Sequence, residues 1–170
     1  MGIVITVVSL AVITLPAVLA AAIRHLRRYT AAESSGIDAF RRDLLRALPG
    51  GAGVGAIAVA TSALLVVDIL VARSGALPGG GAIGVLGWVG LVAVGILLLA
   101  SASLWTPELG WRSALRAVPS FLQADLVGAA YLAATAVFVG VLTSVLPPLL
   151  IPALGCAALA AVAIPERPRR

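Results

Sequence analysis

The sequence contains no lysine, one histidine, one cysteine and one methionine, and charged residues fill only 11% of its 170 positions. Each shortage excludes something. Soluble domains are roughly a quarter charged and about half apolar. This chain is 61% hydrophobic, with a mean hydropathy of +1.13, so it is not a soluble globular domain, a disordered tail or a disulfide scaffold. Without lysine there is no Walker A phosphate loop. Cys156 stands alone, which excludes an intramolecular disulfide and a cysteine-based metal site. His25 stands alone too, so no histidine metal cluster forms, and its arginine neighbours make it a headgroup contact.

What remains is organised in apolar runs. Five stand out: Met1 to Ile23, Gly53 to Ala72, Ala82 to Trp105, Leu126 to Leu146, and Pro148 to Ile164. Each falls within the roughly 17 to 25 residues that cross a bilayer core of about 30 Å. Pro147 and Pro148 predict a tight turn between the last two runs, because proline cannot continue a helix interior. The first run has its positive charge after the apolar stretch, at Arg24, Arg27 and Arg28, the reverse of a cleaved signal peptide. The expected fold is therefore all-α, a polytopic bundle forming one integral membrane domain over residues 1–170.

The twelve basic residues are all arginines, and eleven of them fall on one side of a five-span arrangement; only Arg73 falls on the other. Basic residues concentrate in cytoplasmic loops, so the N-terminus is expected outside and the C-terminus inside. The same distribution explains the net charge of +5 without a nucleic-acid partner.

The loops that hold these arginines carry their own pattern. Ile37, Phe40, Leu44, Leu45 and Leu48 form an apolar stripe, with Asp38, Arg41, Arg42, Asp43 and Arg46 at the other positions. Ser35 and Asp38 have capping-box spacing, and Pro49-Gly50-Gly51 predicts a stop. This reads as a short interfacial helix over residues 37–48. A weaker version follows, with Trp111, Leu115, Val118 and Leu122 set against Arg112 and Arg116. Either these surfaces rest on anionic lipid headgroups, or Phe40, Arg41, Arg42, Arg46, Trp111, Arg112 and Arg116 form a docking face for a cytoplasmic partner.

Little catalytic chemistry is available. Asp68 is the only ionisable residue inside an apolar run, and such a residue marks a functional site by default. Arg73, five positions on, is a natural partner, so the two form either an interfacial anchor pair or an intramembrane polar site. Thr61, Ser62, Ser101, Ser103, Thr135, Thr143 and Ser144 either line a polar path or bond their own backbone, as hydroxyls in membrane helices commonly do. Gly79 to Gly84 matches G-x-G-x-x-G, but no strand precedes it and no acid follows at the required distance, so it is a turn. Gly84, Gly87 and Gly90, the pair Ala17 and Ala21, and the pair Ala129 and Ala133 have the small-residue spacing that lets membrane helices approach closely. No cofactor, metal or enzymatic activity is expected.

The order of these features resembles the YesL-like family of small bacterial membrane proteins. Ser9-Leu10-Ala11-Val12-Ile13-Thr14-Leu15-Pro16-Ala17 is similar to the family's S-L-P-x-x-T-x-G-A at the end of the first helix, with Ala11 and Pro16 at its proline and glycine. Ala20–Ala22, the segment Ala39-Phe40-Arg41-Arg42-Asp43-Leu44, the basic stretch Trp111 to Pro119 and the proline-started last run follow in the family's order. The resemblance implies a multi-pass protein of the bacterial cytoplasmic membrane, acting without catalysis beside the membrane subunits of ABC-type carbohydrate importers. A small solute-binding or transport protein in its own right is the alternative.

Overall fold

A computed structural model describes residues 2–32, 36–75, 79–145 and 150–166. Among the described residues there are six helices and no strand: α1 (Gly2–Thr30), α2 (Ile37–Arg73), α3 (Gly80–Leu104), α4 (Gly110–Ala124), α5 (Leu126–Val145) and α6 (Leu150–Glu166). α2 and α3 are each long and apolar enough to cross a membrane. The pair α4–α5, bent by 115° at its break, makes a third candidate, and Pro152–Ile164 is a shorter apolar helix. The fold is thus all-helical, with the span-length helices of a membrane protein. The expected proline turn at Pro147-Pro148 lies outside the described residues.

The uncharged runs become α3, α5 and α6 almost as their composition dictates. The second run does not keep its expected start. The predicted break at Pro49-Gly50-Gly51 is absent, and the helix continues through it from Ile37 to Arg73. Proline costs a helix one hydrogen bond and a steric clash, but here tertiary packing holds the segment. A Cβ on Gly50 would lie 2.5 Å from Trp111 Cδ1, and one on Gly51 would lie 2.8 Å from Ala17 Cβ. The two glycines are where α4 and α1 press onto α2. N-terminal to this, α2 is capped by Gly36 without a side-chain hydrogen bond, while Ser35 lies outside the described residues.

The α1–α2 seam is antiparallel and built on small residues. Ala17 meets Gly51, and a Cβ on Gly55 would collide with the backbone carbonyl of Ile13. Ala17, Ala20, Ala21 and Ile23 are fully buried. The α2–α3 seam uses the glycines of α3: Gly84 faces Ala72, Gly87 faces Ile69 and Gly90 faces Leu65. α3 touches all five other helices, and its C-terminal stretch Leu99, Ala100 and Ala102 enters the core with Leu132, Ala157 and Ala161 of α5 and α6. Where α4 turns into α5, Asp125 Oδ1 accepts the Gly128 N–H at 2.8 Å. That bond satisfies an orphan donor in the first turn of α5 and fixes the corner.

Candidate functional site

The chemistry collects at the arginine-bearing end. Asp43 belongs by charge to the polar face of the α2 stripe, yet it is only 4% exposed. Arg28 Nη2 lies 2.7 Å from its Oδ2, and Arg24 Nε lies 3.3 Å from the same oxygen. One carboxylate therefore holds two guanidinium groups that stand four residues apart on one face of α1. Arg27, between them, donates to the Ser103 carbonyl at 2.9 Å and so ties α1 to the end of α3. Charge places Asp43 on the polar face, and only two weaker signals point the other way. Phe40, Asp43 and Ala47 share a helical face, and Arg24 and Arg28 have matching i, i+4 spacing.

Trp111 departs from its expected surface position. It is 6% exposed, donates its indole N–H to the Ala47 carbonyl at 2.8 Å and lies 5.9 Å from the Trp105 ring, tilted by 31°. It locks α4 onto α2. Phe40 is half-buried against His25, edge to face at 5.9 Å. Leu44 and Leu48 also pack on the core. Ile37 and Leu45, expected on the same stripe, are 86% and 58% exposed, because the buried face is rotated toward Asp43 and Ala47.

The remaining arginines stay outside. Arg41, Arg42 and Arg46 of α2 and Arg112 and Arg116 of α4 are exposed, and none of them enters an ion pair among the described residues. Glu108, in the turn before α4, has its carboxyl held below the ordinary 4.5, first by a backbone hydrogen bond and next by Thr106, with Arg24 and Arg46 adding attraction.

The anchor pair does not form. Asp68 and Arg73 are both exposed, and no ion pair joins them. Five residues turn a helix by about 140° beyond a full circle, so the two side chains leave α2 on different faces. Three of the hydroxyls bond their own helices, Ser101 to Leu98 O at 3.1 Å, Ser103 to Ala100 O at 2.8 Å and Thr135 to Tyr131 O at 2.8 Å, whereas Thr61 and Ser62 each line a surface cleft. Thr143 and Ser144 lie beyond the described side chains.

Among the described residues, three clefts on the bundle surface stand out. One, of about 200 Å³, lies between α2, α3 and α4. A second, of about 260 Å³, lies between α1, α2 and α3. The third, of about 350 Å³, lies between α5 and α6 and includes Cys156. No charged side chain lines any of the three, and Asp68 borders none of them. Among the described residues no group of three or more His, Cys, Asp or Glu is placed to hold a metal ion. No family model, no curated protein and no solved structure matches the chain.

Proposed function

We propose that the protein is a non-catalytic, multi-pass component of the bacterial cytoplasmic membrane. In this reading it crosses the bilayer five times with the N-terminus outside and the C-terminus inside, and serves as an accessory to ABC-type carbohydrate uptake. One observation carries it: the arginines divide into two sets. Arg24, Arg27 and Arg28 turn inward to bind α1 to α2 and α3, whereas Arg41, Arg42, Arg46, Arg112 and Arg116 are left facing out on two helices that pack together at one end. A rigid basic platform of this kind suits docking better than chemistry. The positive-inside rule puts the platform in the cytoplasm, and the resemblance to the YesL-like family supplies the transporter context. The apolar lining of the clefts favours an accessory over a carrier that binds sugars itself.

Two experiments test this. Reporter fusions at Gly79 and after Arg170 should report opposite sides of the membrane; a C-terminal reporter found outside overturns the topology. Purification in a gentle detergent should retain the membrane subunits of a carbohydrate importer. Their absence from folded wild-type protein, or their undiminished presence with Arg41, Arg42 and Arg46 changed to glutamine, overturns the docking role.

A further inference from the structure

The α2–α3 seam is not uniform. Toward Arg73 it is closed by glycines, with Ile69 on Gly87 and Leu65 on Gly90. Toward the arginine end the same face of α3 carries Val94, Leu97 and Leu98, and the helices stand apart around the 200 Å³ cleft. The cleft runs from Val54 to Thr61 on α2 and from Ser101 back to Val94 on α3, about 10 Å of helix. An apolar cavity takes up apolar groups in preference to water. Its upper wall is Leu115 of α4, which is 39% exposed.

Leu115 has charged neighbours on its own flank. At 100° per residue, Arg112 and Arg116 lie about 60° and 100° around α4 from Leu115, both away from the buried Trp111, Ala114 and Val118. Both are exposed and neither enters an ion pair among the described residues, in contrast to Arg24 and Arg28, which Asp43 occupies. An apolar slot along the bundle axis, roofed by a leucine beside two unneutralised guanidinium groups, complements one kind of molecule.

We propose that this cleft is a binding site for an anionic diacyl phospholipid. One acyl chain lies between α2 and α3 beneath Leu115, and the phosphate sits at Arg112 and Arg116, where guanidinium forks match phosphate oxygens. The site shares Arg112 and Arg116 with the basic platform above but not Arg41, Arg42 and Arg46, and it does not depend on which side of the membrane α4 faces.

The test uses the full-length protein in a mild non-ionic detergent, with lipid adducts counted by native mass spectrometry. The probes are phosphatidylglycerol and phosphatidylcholine with identical oleoyl chains. Wild type should favour phosphatidylglycerol by about thirtyfold, the contribution of two arginines at a membrane surface. Arg112→Gln with Arg116→Gln should erase that preference, while Arg41→Gln with Arg42→Gln should keep it. Leu115→Trp and, independently on the opposite wall, Leu97→Phe should fill the slot and lower retention of both lipids equally. Thermal melts of each variant confirm that it is folded. Equal retention of the two lipids by wild type overturns the site. Equal losses from the two arginine pairs overturn it as well, by showing a diffuse field. Unchanged retention in both filled variants places the acyl chain elsewhere and also overturns it.

Discussion

Asp43 Oδ2 of α2 forms an ion pair with Arg28 Nη2 of α1 at 2.7 Å while the residue is only 4% exposed, so this short charge contact is a helix-to-helix clamp inside the bundle. Removing one partner of a buried pair leaves an uncompensated charge, a loss of 3–5 kcal/mol when burial is complete. Arg24 and Arg28 remain 24% and 21% exposed, so Asp43→Asn should cost less, about 2 kcal/mol. A melt in detergent should fall by roughly 5 °C, whereas Arg42→Gln, on an exposed arginine, should leave it unchanged.

The glycine seam gives a paired prediction. Gly55→Ala drives a methyl group into the Ile13 carbonyl and forces α1 away from α2, at about 1–3 kcal/mol. Gly53→Ala meets nothing within 4 Å and should stabilise α2 by roughly 0.5–1 kcal/mol through lost backbone freedom in the unfolded chain. The two variants, two residues apart, should move the melting temperature in opposite directions.

Trp111 should report its own hydrogen bond. Trp111→Phe keeps most of the packing but removes the donor to Ala47, a loss of about 1 kcal/mol. Trp111→Ala also opens a cavity and should cost about 3–5 kcal/mol. Equal effects of the two substitutions would contradict the indole's role.

How much of this was legible in the sequence differs from helix to helix. The helices α3, α5 and α6 follow from uncharged runs, whose only stable form in lipid is a helix. The glycines of α3 were readable as a contact face, and they do meet α2. Pro49-Gly50-Gly51 was not readable, because its local chemistry signals a stop, and only the approach of Trp111 and Ala17 from distant positions turns the same glycines into a packing surface. Pattern alone puts Asp43 and Trp111 on the surface for a related reason. Charge and amphipathic spacing describe one helix at a time, whereas their burial depends on Arg24, Arg28 and Ala47 arriving from other elements.

Asp68 and Arg73 should prove independent. In a double-mutant cycle of Asp68→Asn and Arg73→Gln, the two effects on stability should add within about 0.5 kcal/mol. A larger coupling would restore the anchor pair.

Glu108 offers a titration. Its carboxyl lies below 4.5, chiefly through a backbone hydrogen bond and secondarily through Thr106. A depressed folded-state value contributes stability above the unfolded value and loses it as pH falls through the folded one. Thr106→Val should raise the Glu108 midpoint, observed by carboxyl NMR, without bringing it back to 4.5, because the larger cause persists. A full return would show that Thr106 alone sets it.

The unbroken α2 has a further consequence. Between Arg46 and Asp68 it carries no charge, a stretch of about 31 Å at 1.5 Å per residue, against a hydrocarbon thickness of about 30 Å. With α2 across a bilayer, the guanidinium marks one edge and the carboxylate the other, and both side chains are exposed. The helix is therefore a gauge of membrane thickness. A thinner bilayer forces it to tilt and a thicker one drags a charge inward, so the bundle sits without strain only where lipid and helix agree in length.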